Sequence, residues 1–321
     1  MKKILTLMLL ALFMLGGARA EGAYPDRPIK LIVPYSAGGP SDIIARVISQ
    51  KAGEIIGQSI VIDNRGGAGG TIGTNAGAKS PPNGYTAVMV SPGQVGIAVA
   101  TQPSLSYDPQ TDLIPVIELV EDTLVLAVSN DLPVKNVKEL IAYMKAHPGK
   151  LNYSSASVGS ITHLTMELFK QNFGVQATHI PFKGSSESMM AVVTNEVSMG
   201  FASPSGMKPL LDEHKLRALA IASARRSSVT PDVPTMAEMG FPNMDSPLWY
   251  VLAVPKGTPP AVVKKLHDAY AAALKSPSVL DRLKDLGVEP SGADSEQAAQ
   301  LMNADIQRWK SLVRTANIKL E

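Results

Sequence analysis

The sequence predicts an α/β fold, and three observations carry that expectation. Apolar runs of strand length recur along the 321 residues, each followed by a turn-rich loop and then by apolar residues at helical spacing. The loops after these runs are dense in serine and glycine, and several lead into a proline or serine suited to open a helix. Strands alternating with helices in this way form largely parallel sheets, whose ligands sit beyond the carboxyl ends of the strands.

The first unit is the most informative. Residues 29–33 (IKLIV) read as a strand, 34–39 (PYSAGG) as a loop, and Ile43, Ile44 and Val47 mark the buried side of a helix that Pro40 can open. The free N–H groups of that first turn, with the positive end of the helix dipole, form a place for a carboxylate or phosphate without any lysine or arginine. A bland βα turn has the same appearance. A second apolar run at 59–62 leads into the glycine loop 63–73 (DNRGGAGGTIG). Its spacing puts Ile72 where a dinucleotide fingerprint needs its third glycine, and it has no Gly-Lys-Ser/Thr, so a turn packing a helix tightly on the sheet is the reading adopted.

Residues 86–90 form the next strand, ending at Ser91-Pro92-Gly93, and 105–115 reads as a connection. A short run at 124–128 and a helix over 137–146, stopped by Pro148-Gly149, mark a passage into a second domain. There the pattern repeats three times. Residues 151–155 lead into a serine loop with Ser160 as N-cap, 178–182 lead into Lys183-Gly184-Ser185-Ser186, and 197–201 into Ser203-Pro204-Ser205-Gly206. The strand at 216–221 and the polar stretch 225–234 return the chain to the first domain. A strand at 249–254, helices at 261–274 and 277–286, and a last helix from Ser295 follow; its stripe of Met302, Ile306, Trp309 and Val313 reads as core.

Composition removes several function classes. Lys2 and Lys3, the apolar run 4–15 and Ala18-Arg19-Ala20 predict a signal peptide over 1–20, cleaved after about Ala20, and hence an exported, periplasmic protein. With no cysteine there can be no disulfide, thiolate metal site or cysteine nucleophile. Thirty basic against 28 acidic residues give +2, and without Lys2, Lys3 and Arg19 the balance is 27 against 28, a formal −1. That balance has no footprint for nucleic acid or an anionic membrane. There is no G-x-S-x-G or H-E-x-x-H, and His147, His163, His179, His214 and His267 are scattered singly, so no catalytic residue, metal site or cofactor is expected. His163, inside a first helical turn, reads as a neutral structural imidazole. Asp42 reads as a cap of its own helix, Lys183 as a possible cation for the ligand, and Tyr35 as an aromatic wall.

Seven stretches, Tyr24 to Arg46, Asp63 to Gly73, Ser106 to Val116, Tyr153 to Leu164, Ile180 to Ser188, Pro231 to Pro242 and Val254 to Val263, together resemble the Bug receptors. These TctC-like proteins are the extracytoplasmic solute-binding receptors of tripartite tricarboxylate transporters. The resemblance implies a two-domain Venus flytrap of the type II periplasmic-binding class with two β-strand crossovers, one domain at 24–122 plus 226–321 and the other at 123–225. It also implies that a carboxylate is held by backbone N–H groups and small hydroxyls from two facing loops. Carried over, these are Tyr35, Ser36, Ala37, Gly38, Gly39 and Asp42 on one side and Ser155, Ser157, Gly159, Ser160 and His163 on the other. The remaining strand-end loops add Ser91, Lys183 and Ser203 as candidates. Departures from the family pattern stand at Gly66, Ser157 and Asn195. The expected partners are a small carboxylate and membrane permease subunits, with the receptor acting as a monomer. The alternatives are an exported hydrolase using Ser157 or Ser160 with His163, and a ligand-responsive partner of a membrane sensor kinase.

Overall fold

The computed structural model describes residues 24–315, and the predicted signal segment 1–20 lies outside them. The first half of the chain runs β1 (Ile29–Val33), α1 (Pro40–Ile56), β2 (Ile60–Asn64), α2 (Thr71–Ala78), β3 (Thr86–Val90), α3 (Ala98–Thr101), β4 (Leu113–Asp122), β5 (Val125–Ser129) and α4 (Val137–Ala146). Next come β6 (Asn152–Ser155), α5 (Ile161–Phe173), β7 (Thr178–Pro181), α6 (Ser185–Val193), β8 (Met199–Ala202), α7 (Pro204–Asp212) and β9 (Leu216–Ile221). The chain closes with β10 (Leu248–Pro255), α8 (Pro260–Leu274), α9 (Pro277–Leu286), β11 (Glu289–Pro290) and α10 (Ser295–Thr315).

The strands form two sheets, ordered β2-β1-β3-β10-β4-β11 and β7-β6-β8-β5-β9. Each is parallel through its first three strands and then takes in one antiparallel strand, β10 in the first and β5 in the second. Both of these are the first strand laid down after the chain changes sheets. The strand-loop-helix unit at β1 and α1 therefore has a counterpart at β6 and α5, as the repeated strand, serine loop and helix start in the sequence predict.

Local chemistry accounts for the elements. In β1, Ile29, Leu31, Ile32 and Val33 are buried on both faces of the sheet, which explains a continuous apolar run in place of an alternating one. Helix α1 starts at Pro40, buries Ile44, Ala45, Ile48 and Ala52, and stops at Gly57, whose N–H reaches the Gly53 carbonyl at 3.0 Å. The glycine loop ends tight against the end of β1, where a Cβ on Gly73 would stand 3.0 Å from Pro34 Cα, and one turn further on in α2 a Cβ on Gly77 would stand 2.7 Å from Val88 Cβ. The α10 stripe is core, with Met302, Ile306 and Trp309 buried and Val313 packed against them.

Strand β4 is the element the sequence hides. Pro115 and three acids interrupt its apolar residues, and a proline inside a run weighs against a strand. The structure places Pro115 at a register shift against β10, where the missing N–H is tolerated and its carbonyl accepts from Ser295 Oγ at 2.6 Å.

The two changes of sheet lie side by side. The first passes directly from Asp122 to Val125; the second leaves β9 at Ile221 and regains a strand at Leu248. Ala222 N–H donates to Leu124 O at 2.7 Å and Ser246 N–H to Ala222 O at 2.9 Å, so three extended segments are tied together at the crossing. Asp122 is buried there. Its Oδ1 accepts the Thr123 N–H at 2.7 Å and its Oδ2 has no partner. Burial pushes this carboxyl up to about 8, the Thr123 bond offsetting only part of the shift.

The sign of the resulting linkage is fixed. A carboxyl whose value is raised on folding favours the fold below the ordinary aspartate value of 3.8, and that contribution is lost as pH rises through about 8. Asp122→Asn removes the loss. Urea unfolding is expected to show the variant gaining on the order of 4 kcal/mol relative to the parent between pH 5 and pH 8.5. A difference that does not change with pH would show Asp122 to be hydrated and ionised in the fold.

Candidate functional site

A cavity lies between the two sheets, at the carboxyl ends of their strands. It offers about 90 Å³ to the centre of a water molecule, several times what one water needs, and so has room for a small organic molecule. Four helices begin at its wall. Gly39, Pro40 and Ser41 bring the start of α1, Ser160, Ile161 and Thr162 that of α5, Gly184, Ser185 and Ser186 that of α6, and Ser203 that of α7. At α1, α6 and α7 the N-cap residue makes no side-chain cap, so the first-turn N–H groups are not taken up by a capping side chain. No lysine or arginine lines the cavity. Leu124, Leu248 and Tyr250, from the crossing segments and β10, together with Ala156, supply apolar wall.

The loop after β1 is held open by its own bonds. Gly38 N–H donates to Asp42 Oδ2 at 2.9 Å, and Arg46 grips the same carboxylate through Nε and Nη2 at 3.0 and 2.9 Å. Burial alone would raise Asp42, but Arg46 and the Gly38 N–H outweigh it and hold the carboxyl below its usual range. Asp42 thus shapes the loop and does not line the cavity.

Tyr35 turns its ring along the cavity wall and its hydroxyl inward, where burial raises its pKa and keeps it protonated. That hydroxyl accepts from Gln94 Nε2 at 2.8 Å. Gln94 is fully buried in the single wide turn Gly93–Ile97 and uses its whole amide. Nε2 also donates to Gly69 O at 2.7 Å, and Oε1 accepts Ser91 N–H at 2.9 Å and Ser91 Oγ at 2.8 Å. One side chain therefore fixes Tyr35, Ser91 and the glycine loop together. Gly69, at φ +67°, is where that loop meets the other half of the protein: a Cβ there would stand 3.1 Å from Val158 O.

The two halves also bond to each other directly. Ser36 Oγ donates to the Lys183 carbonyl at 2.7 Å, and Ser186 Oγ reaches Gly38 O at 3.5 Å. These bonds bridge the loop after β1 to the start of α6 at the edge of the cavity.

Of the residues singled out in the sequence, the structure brings Tyr35, Ser36, Ala37, Gly39, Ser91, Ser160 and Ser203 to the cavity. It places Gly38, Asp42, Ser155, Ser157, Gly159, His163 and Lys183 outside its lining, for distinct reasons. Ser155 is fully buried, with Oγ 2.7 Å from His179 Nε2 and 3.0 Å from the Ser157 carbonyl. The Ser157 carbonyl also accepts from Ser160 Oγ at 2.8 Å, which tightens the turn, while the Ser157 hydroxyl is buried without a partner. Gly159 N–H donates to His163 Nδ1 at 3.2 Å. Lys183 is exposed and gives the seam its carbonyl, not its ammonium.

His163 lies flat against His179, ring centroids 3.8 Å apart, and the Tyr153 ring stands beside the pair, 4.8 Å from His179 and 6.2 Å from His163. Burial holds both imidazoles neutral, His163 down to about 3 and His179 to about 4, each further opposed by Lys170. His163 accepts no proton from a cavity serine; the bond between Ser160 and His163 runs from the backbone N–H to Oγ, a helix cap. The pairing of Ser157 or Ser160 with the His163 ring that the hydrolase alternative names is not assembled, and the serine that does meet an imidazole, Ser155 at His179, is fully buried outside the cavity lining.

Reading the sequence missed Ser41, Thr162, Glu187 and Tyr250. Ser41, Thr162 and Glu187 sit in first helical turns already recognised; Ser41 and Thr162 adjoin the candidates Asp42 and His163, and Glu187 is four residues from Lys183. Tyr250 lies at a distance in the chain that no local pattern bridges; its hydroxyl accepts from Ser41 Oγ at 3.1 Å.

Comparison with known proteins decides the family. The model of the tripartite tricarboxylate transporter family receptor matches residues 44–318. The chain belongs to this receptor family. It is 36% identical to the protein BugT of Bordetella pertussis, over 93% of this chain and 92% of that one. The structure of the periplasmic binding protein BugD superposes with a TM-score of 0.89 at 31% identity, covering 93% of this chain and 100% of that one. Rpa4515 of R. palustris, solved with adipate, gives a TM-score of 0.88 at 36% identity and coverages of 92% and 99%. The α/β fold with two sheets is thus that of the Bug-type binding proteins, and the receptor family comprises binding proteins, not enzymes.

Gln94→Ala tests the scaffold of the site. It leaves the Ser91 N–H and Oγ, the Tyr35 hydroxyl and the Gly69 carbonyl without their buried partner. The expected cost is about 3 kcal/mol by urea unfolding. A cost under about 0.5 kcal/mol, typical of an exposed position, would show that water replaces the amide freely.

Proposed function

We propose that this receptor is exported to the periplasm, closes on a small carboxylate between two lobes, and delivers it to the permease subunits of a tripartite transporter. One lobe comprises residues 24–122 and 226–321, the other 123–225. The signal-like N-terminus supports export, and among the described residues no helix is long and apolar enough to cross a membrane.

The single observation that carries the carboxylate reading is the meeting of four helix N-termini around a cavity with no cationic side chain. Oriented N–H groups and helix dipoles stabilise a negative head group, and neutral donors in a closed site keep that preference at ionic strengths that screen exposed charges. The adipate bound by Rpa4515 supports the same class of ligand. Residues Ser36, Ala37, Gly39 and Ser41 hold the head group from one side and Ser160 and Thr162 from the other, while Ser185 and Ser203 line the rest of the cavity. Tyr35 and Tyr250 wall the carbon chain.

Closure needs both sides to touch the ligand, because a ligand bound equally well by open and shut forms shifts nothing. Ser36 to Lys183 and Ser186 to Gly38 are the bonds that closure adds.

Calorimetric titration of the purified mature chain with mono-, di- and aromatic carboxylates tests the reading. At least one acid is expected to bind with a dissociation constant near or below micromolar, a free energy of about −8 kcal/mol, changing little with added salt. Binding no tighter than millimolar across the panel would remove the carboxylate reading.

A further inference from the structure

Among the described residues that line the cavity, Glu187 is the one acidic side chain. It occupies the first turn of α6 at the solvent-exposed rim of the cavity, and its Oε2 accepts the Lys183 N–H at 3.3 Å. Its other oxygen makes no hydrogen bond, and the carboxylate takes part in no ion pair among the described residues. The two phenols that line the cavity, Tyr35 and Tyr250, are raised by burial and stay neutral.

The charge that the cavity can accept follows from its walls. Each helix N-terminus acts as roughly half a positive charge, so four of them amount to about +2. Helices α5 and α7 carry no acid in their first turns. Asp42, in the first turn of α1, is compensated by Arg46. Glu187 has no such partner and, exposed at the rim, offsets part of that charge through a solvent-screened field, so the walls favour one negative charge on the ligand over two. A second carboxylate on the ligand would add a charge that the walls do not balance and would meet Glu187 as a like charge.

We propose that Glu187 sets the ligand class of this receptor: an acid with a single carboxylate, whose far end bears a hydroxyl or ammonium that donates to Glu187 Oε1. The carboxylate lies at the mouths of α1 and α5, and the donor end lies at the rim beside α6. This rests on the carboxylate reading above and narrows it, since the relative Rpa4515 was solved with a dicarboxylate.

Two matched series test it by calorimetry: adipate, ω-hydroxycaproate, ω-aminocaproate and caproate, and the corresponding succinate, γ-hydroxybutyrate, γ-aminobutyrate and butyrate. The parent chain is expected to bind a hydroxy or amino acid about tenfold more tightly than the dicarboxylate of equal length. Glu187→Gln keeps an acceptor for the Lys183 N–H and removes only the charge. It is expected to bring that ratio to within about threefold or to reverse it. Thermal melting of both proteins without ligand checks that the fold is unchanged, and Glu187→Ala, which removes the acceptor as well, is expected to abolish the preference for the donor end over the plain fatty acid. A parent chain that binds dicarboxylates as tightly as their hydroxy analogues, or a ratio that Glu187→Gln leaves unmoved, overturns the assignment while the carboxylate reading stands. If no acid of either series binds the parent chain, both fall together.

Discussion

Everything about this molecule depends on helix N-termini being brought together around one cavity whose single acidic side chain, Glu187, stands at its exposed rim. Each end carries N–H groups that its own helix cannot satisfy, and the three at α1, α6 and α7 lack a side-chain cap. An arrangement of this kind is unfavourable to leave dry and empty. It is stabilised by water when open and by an anion when shut, and this gives closure its thermodynamic direction. A lysine or arginine in the wall would have supplied the charge more simply. It would also have gripped any anion indiscriminately, whereas fixed dipoles favour a head group of the right shape and position.

The scaffold behind the wall is correspondingly rigid. Gln94, fully bonded and fully buried, links the aromatic wall, a cavity serine and the glycine loop at the seam. The paired imidazoles of His163 and His179 perform a related task on the other side, where two flat neutral rings fill the space beneath the serine turn. Neither group needs to touch a ligand. Both keep the loops from relaxing toward geometries in which the free N–H groups would bond to the protein itself, and a polar network of this kind is stabilising only when each member is satisfied.

Much of this was written locally in the sequence. Pro40 after two glycines, Ser160 ahead of Ile161 and the apolar run of β1 each identify a strand, a loop or a helix start from a few residues, and the structure keeps them all. The resemblance to Bug receptors, spread over seven stretches, agrees with the family that the comparison gives. What was not readable depends on distance. Nothing near Tyr250 tells that it meets Ser41, 209 residues away. Asp42 and His163 have the residue types of a site, and only the positions of Arg46 and His179 show that their bonds are spent within the protein. Strand β4 was obscured by Pro115, tolerated only because β10 shifts register at that point.

The sheet orders have a consequence for how the chain acquires its shape. The second sheet draws all its strands from residues 125–221, an unbroken length of chain, and has them all as soon as that length is free. The first sheet has an interior gap between β3 and β4 until β10 arrives, more than 120 residues after β4 begins in the order of synthesis. The N-terminal part, although made first, is the last to become self-supporting. A nascent chain with this topology stays pliable through most of its length, which is the condition a polypeptide must be in to be threaded through a narrow pore before it settles.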